Sequence, residues 1–517
     1  MRALRLRNIR SLADTGDILL KPITLLLGQN SSGKSTVLRT LPLLKQSIRT
    51  RSNAPVLWYG DLVDFGSARE VISTFARDQS IDIEFDLGPM LLNRGGYYYY
   101  ASRDDAPVDT RLKISLSEIE GRTKLRQFAV QVDSDEVRID IDSKGVPTKV
   151  FVNGIDFTRI MAAEKYKFSS SEIVPQLIKS GADPMRRAYY PRSSRVIESA
   201  EREIRKFFSD RLPSRVRENT ILNLAHRINY RPGLSFAIGL QEASTSLKST
   251  RDLALRLTSP NGAKELALLK ALFLLWELPD ILTSIERSVG STFSSVSYVG
   301  PSRATGERYY RMQELAVDQI DPQGRNLAMF LNSLTAGQQR QFSEWLTEAV
   351  GYAVKVERST GHIQLHLREE NSDRFYNIAD MGYGFSQVLP IMAQVWSRRN
   401  RTSFNRTSVL MAMEQPELHL HPAYQAKLAD VFVRSISKGS ASPDARRDAR
   451  FVIETHSEAL INRLGELVYD GSLDPDDVAI YVFEKAQSQE STSIRTVTFE
   501  SDGTLSNWPI GFFSTIR

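Results

Sequence analysis

Four separated segments of this chain carry residue types whose spacing suits chemistry on a phosphate group. The first, Gly28-Gln29-Asn30-Ser31-Ser32-Gly33-Lys34-Ser35-Thr36, follows the apolar run 23–27, which reads as a buried strand. Glycines at 28 and 33 let backbone N–H groups turn inward and cradle phosphate oxygens at a helix N-terminus. Asn30, Ser31, Ser32 and Thr36 complete the expected cradle. Lys34 has the reach for β- and γ-phosphates, and the Ser35 hydroxyl is a candidate Mg2+ ligand. A glycine turn that happens to hold a lysine is the bland alternative; the strand before and the helix after weigh against it.

The other three segments supply what such a loop lacks. The run 409–413 reads as a second buried strand, and Glu414 at its C-terminal edge stands where a metal-side carboxylate is needed. The next residue, where a general base is often found, is the neutral Gln415. Either Glu417 is the base or hydrolysis is slow, and the sequence leaves both open. His456 follows the run 451–454 and is expected to sense a γ-phosphate. Gly382, Gly384, Ser386 and Gln387 open a helix expected over 387–396, whose N–H groups suit a second phosphate face; plain helix-entry glycines are the alternative. His419 and His421 have a metal-ligand spacing, but three or four ligands are required, so a turn near a subunit contact is preferred.

Positioning these groups takes a split core. Strands are expected over 3–8, 18–20, 23–27 and 81–87, then alternating antiparallel runs over 111–117, 128–132, 137–141 and 149–152. Helical periodicity dominates from 160 to about 285 and is clearest over 253–278. The division predicted is therefore 1–90 (first part of the core), 91–294 (a mixed insertion, strand-rich over 107–155 and helical over 159–290) and 295–517 (rest of the core).

The chain has 517 residues, a net charge of +6 and no cysteine, which excludes a disulfide framework and thiolate chemistry. Neither a signal peptide nor a membrane span is expected, and a cytoplasmic location is the simple reading. Residues 185–231 hold twelve Lys/Arg against five Asp/Glu, with Tyr189, Tyr190, Phe207, Phe208 and Tyr230 interspersed. A solvated helical face is favoured slightly over a nucleic-acid surface there.

Together the four segments resemble the ABC-type ATPase heads of the SMC, RecF and overcoming-lysogenization-defect group, particularly its stand-alone AAA ATPases. Further matches are Tyr298-Val-Gly-Pro-Ser-Arg303, Asp321-Pro-Gln-Gly-Arg-Asn-Leu327 and the stretch 502–513. The resemblance covers 1–90 and about 295–513. It implies an α/β fold, a P-loop ATPase head split by a mainly helical insertion, with ATP and Mg2+ as cofactors. It also implies a head-to-head dimer, or a higher even-numbered oligomer, that closes around ATP. Lys34, Ser35 and Glu414 of one subunit would then face the 382–387 signature of the other, with His421 where such heads carry a D-loop acid. Phe385-Ser386-Gln387 departs from the usual tighter signature, which leaves the contacting residue there open.

For function, the resemblance implies an antiphage regulator of the Septu or retron type, working with a separately encoded HNH nuclease. DNA, RNA or a retron ribonucleoprotein would be further partners. A RecF-like repair ATPase clamping DNA is the alternative. No built-in nuclease is expected, since sixty-one residues after His456 are too few for one beside the remaining core strands.

Overall fold

The computed structural model describes residues 1–92, 106–162, 166–169, 171–179, 197–228, 230, 232, 235–245, 247–313, 317, 319–399, 409–436, 449–485 and 491–509. Five apolar runs form parallel strands: β1 (Ile23–Gly28), β2 (Ser297–Val299), β3 (Val409–Glu414), β4 (Ala449–Glu454) and β5 (Val478–Glu484). Their spatial order is β2-β3-β4-β1-β5, and Ser493–Phe499 and then Leu505–Ser506 extend it with antiparallel strands. Near-continuous apolar sequence is what strands covered on both faces require. In register, Glu414 lies beside Glu454 and Glu454 beside Leu26. Two acidic strand ends are thereby brought to the edge from which the phosphate loop springs.

Because side chains alternate along a strand, each strand serves two cores. Ile23, Leu25, Met411, Met413, Phe451 and Ile453 enter one core. It is shared with three helices, α3 (Tyr383–Arg399), α4 (Pro422–Ile436) and α5 (Glu458–Tyr469). Leu26, Leu410, Ala412, Val452 and Tyr481 enter the other. That second core is filled by α1 (Lys34–Arg49), α2 (Ala263–Ser294) and a large antiparallel sheet.

The antiparallel sheet runs without a break across the boundary expected at 90/91. Ala3–Ile9 pairs with Ser80–Met90, which pairs with Val108–Ile119; Arg122–Val132, Asp135–Ile141, Pro147–Val152 and Ile155–Asp156 follow in order. Its strands alternate buried and open residues; Phe128, Val130 and Val132 are fully buried along one of them. Asp135 ties this sheet to α2, receiving Lys270 Nζ at 2.7 Å, the Tyr230 hydroxyl at 2.7 Å and Asn153 Nδ2 at 2.9 Å. Lys270, an interruption in an apolar run, is thus the counter-ion of a buried carboxylate.

The helical stretch expected over 253–278 is two helices, Lys248–Thr258 and α2, separated by a 3-10 turn at Pro260–Gly262. Proline lacks the N–H that a continuous helix would need there. The region expected to be helical also contains a hairpin of Tyr166–Phe168 with Leu177–Lys179. A further sheet, Tyr352–Ser359 against His362–Glu369, was not distinguished from the core by its sequence. Among the described residues no helix is long and apolar enough to cross a membrane.

Candidate nucleotide site

The loop between β1 and α1 has the backbone its glycines suggest. Gly28 (φ 143°), Ser31 (φ 60°) and Gly33 (φ 94°) all take positive φ. A Cβ on Gly28 would sit 2.3 Å from the Phe483 carbonyl oxygen, so only glycine lets the loop leave β1 against β5. Gln29, Asn30 and Ser31 are exposed, whereas Ser32 is buried and donates to the Gln29 carbonyl at 2.8 Å. Thr36 is buried on the first turn of α1. Lys34 crosses beneath the loop, donating to the carbonyls of Gly28 at 2.9 Å and Gln29 at 2.7 Å. Burial lowers its pKa, opposed by the carboxylate of Glu454, 3.8 Å from Nζ.

The two strand-end glutamates, which sit side by side, have different partners. Glu414, expected to face the metal, is 3% exposed and held by a two-pronged contact from Arg39 on α1. Both Arg39 bonds measure 2.7 Å, and the Tyr298 hydroxyl donates to the same carboxylate at 2.6 Å. Ser35 neighbours Glu454 instead and favours its ionised form. Glu454 is 4% exposed, and its Oε2 has no hydrogen-bond partner. Burial raises its pKa, and the nearby charge of Glu414 adds to that; Ser35, Lys34 and Arg39 oppose it.

Glu417 is also buried, at 7% exposed, and accepts the His456 backbone N–H at 2.7 Å through Oε1. Its Oε2 is without a partner and burial raises its pKa, the state a proton-accepting group needs. Arg303 closes the site from behind, donating to the carbonyls of Glu414 at 3.0 Å and Gln415 at 2.9 Å. Burial lowers its pKa to about 10. His456 lies just past β4 with an exposed side chain, its pKa lowered by desolvation and by the Lys34 charge. Lys34, Glu454, Glu414, Glu417 and His456 are therefore one cluster.

The 382–387 segment enters α3, which begins at Tyr383 rather than at 387. Ser386 and Gln387 are 5% and 1% exposed. The Ser386 hydroxyl bonds the Tyr383 carbonyl, and Gln387 Nε2 bonds the Arg303 and Ala304 carbonyls. Their side chains support the protomer's own fold. Gly382, Tyr383 and Gly384 line an apolar cavity of about 210 Å3 with His419, Leu420 and His421. Tyr383 meets His419 edge-on, and a Cβ on Gly384 would lie 2.9 Å from the His419 carbonyl. The glycine-rich segment and the histidine turn thus form one surface, and His421 Nδ1 accepts the Ala423 N–H at the start of α4.

Arg39, Tyr298, Arg303 and Glu454 were not singled out as site residues from sequence. Glu454 had a signal of its own: a charge ending the otherwise apolar strand Ala449–Glu454. In the basic stretch 185–231, Phe207, Phe208 and Tyr230 are core residues, and Arg205 and Arg211 are paired with Glu201 and Glu265. Arg186, Arg187, Tyr189 and Tyr190 lie outside the described residues.

No curated protein sequence matches this chain. Solved structures that cover nearly all of it do so at low identity and low superposition. They include an SMC head bound to the C-winged helix domain of ScpA (11% identity, TM-score 0.33, 96% of this chain and 98% of that one). Others are the SMC head domain from Thermotoga maritima (9%, 0.31, 96% and 98%) and a head domain with coiled coil and joint derived from Pyrococcus yayanosii (12%, 0.34, 97% and 97%). A family model described as "Protein of unknown function (DUF3696)" matches residues 473–514. A second matches residues 182–462, which include Glu414, Glu417 and His456 but not the phosphate loop. Since that match spans more than half of the chain, the protein belongs to the ATPase family described as "AAA domain, putative AbiEii toxin, Type IV TA system".

Proposed function

We propose that this chain is an ATPase that binds Mg-ATP on the 28–36 loop, closes head-to-head around it, and uses that closure to control a separate effector protein. The observation that carries the reading is the clustering of Lys34 with three buried carboxylates, two of which keep an oxygen without a partner. An unpartnered buried carboxylate oxygen is costly unless a cation or water completes it. Oxygen donors with few protein ligands suit Mg2+, which keeps waters and takes substrate phosphates as its remaining ligands. Bound there, the ion would neutralise charge on the β- and γ-phosphates. Glu417, buried and holding the His456 backbone, is the candidate to orient the attacking water.

Closure by two copies is proposed because the 382–384 segment and the 419–421 turn share a surface, with Tyr383 about half exposed on it. The effector is proposed to be an HNH nuclease of an antiphage system. That assignment rests on the sequence resemblance and on the size of the inserted region. The aromatic residues of 197–231 are buried rather than free to stack on bases, which gives the DNA-clamping alternative less support.

The test is turnover per subunit over a range of protein concentrations, with Lys34→Ala as the binding-deficient control. Turnover that rises with concentration, and ATPγS-dependent dimers of Glu417→Gln on light scattering, support the reading. Full turnover by a monomer at every concentration sinks it, as does tight ATPγS binding by Lys34→Ala. Co-purification with a nuclease subunit bears separately on the effector.

A further inference from the structure

We infer that Glu454, and not Glu414, is the carboxylate that faces the metal ion in this site. The inference rests on the Mg-ATP reading and adds to it which strand end does the work. Both glutamates close parallel strands and lie side by side in register, so strand position does not separate them. Their partners do. Glu414 accepts two hydrogen bonds from Arg39 and one from Tyr298, and is already paired with a full positive charge. Binding a cation through it would require Arg39 to leave or two cations to crowd one carboxylate, and like charges that close repel strongly.

Glu454 is held more loosely, by a single longer contact with a lysine rather than a two-pronged guanidinium. It neighbours Ser35, the loop hydroxyl best placed to ligate a metal, and lies 3.8 Å from Lys34. One of its oxygens has no partner, although the residue is 96% buried by its 4% exposure. Ser35 and Glu454 thus offer two adjacent oxygen donors beside the loop, which is as many protein ligands as Mg2+ commonly takes when phosphates and waters supply the rest. Glu414 becomes a positioning residue: with Tyr298 it fixes Arg39, and through Arg39 the first turns of α1.

The probe is ATPγS, its affinity measured calorimetrically in EDTA and again in Mn2+, for the full-length chain and its variants. Wild type binds in both conditions and gains affinity from the metal. Glu454→Gln keeps metal-free binding but loses at least about tenfold of the metal-dependent gain. Glu454→Asp, with a shorter carboxylate, restores part of it, which a purely structural role for Glu454 would not produce. Glu414→Gln retains the gain. Because that change strands Arg39, the double variant Arg39→Met/Glu414→Gln is measured too, and it also retains the gain. Loss of the gain in both Glu414 variants, or its survival in Glu454→Gln, overturns the assignment. If wild type binds ATPγS in neither condition, the nucleotide reading itself has failed.

Discussion

The bond between Arg39 and Glu414 can be tested by itself. Arg39→Met removes both guanidinium donors and leaves Glu414, 3% exposed, with the Tyr298 hydroxyl as its remaining side-chain donor. Breaking a buried ion pair from one side costs about 3–5 kcal/mol. The Arg39 side chain is 33% exposed, so water can follow its removal and the lower figure, about 3 kcal/mol, is expected. Glu414→Gln strands a cation that can turn to solvent and should cost less, about 1–2 kcal/mol. The double variant loses the pair without leaving a buried charge, so the two changes should be coupled by at least about 2 kcal/mol. The assay is urea unfolding of the four proteins by tryptophan fluorescence, read from midpoints at unchanged denaturant slope. If the single changes add to the double within about 0.5 kcal/mol, Arg39 does not own Glu414 and the division of labour between the strand ends is wrong.

Gly28→Ala, whose Cβ would meet the Phe483 carbonyl at 2.3 Å, should abolish ATPγS binding and destabilise by about 1–3 kcal/mol; calorimetry and urea midpoints check both. Burial raises the Glu417 pKa above its unfolded value near 4.5, so its ionisation favours the unfolded chain. Its contribution is intact below that unfolded value and is lost as pH rises through the folded one; Glu417→Gln should therefore gain on wild type as pH rises from 4.5, in parallel urea series. Lys270→Met leaves Asp135 buried with only neutral donors and should cost about 3 kcal/mol, part of which Asp135→Asn restores in the double variant. An unchanged midpoint in Lys270→Met would show that the pair does not fasten α2 to the antiparallel sheet.

What could be read from the sequence was local. The phosphate loop was legible because Gly28, Gly33 and Lys34 act within one turn of chain, and their backbone demands are set by residue type. The antiparallel strands were legible because a half-buried strand writes its geometry as alternation, as in Arg122–Val132. Adjacency of distant segments was not legible. Nothing near Glu454 says that its strand lies between β1 and β3, and only that placement brings it to Lys34. Arg39 likewise reads as one more polar residue on a helix until α1 is laid on the sheet. Gln387 is instructive in the other direction. It falls in phase with Ile391 and Gln394, both buried on α3, so helical spacing already argued for an inward side chain. The motif resemblance concerns the backbone N–H groups of the segment and left the contacting residue open.

The placement of α1 explains why the nucleotide site and the inserted region form one unit. Its N-terminus carries Lys34 and Ser35, while Val37, Leu38, Leu41 and Leu44 belong to the same core as Phe128, Ile139 and Leu272. At its far end Lys45 donates to the Val296 carbonyl, just beyond α2, and Gln46 bonds the carbonyls of Leu57 and Val63. Burial lowers the Lys45 pKa to about 8, so even its charge is held at a cost to the fold. A helix pinned at both ends and packed along its length cannot move alone, because cores of this density do not compress. Arg39 sits midway, clamped to the end of β3. The phosphate loop, α2 and the antiparallel sheet anchored to α2 through Asp135 are thus joined by one packed helix.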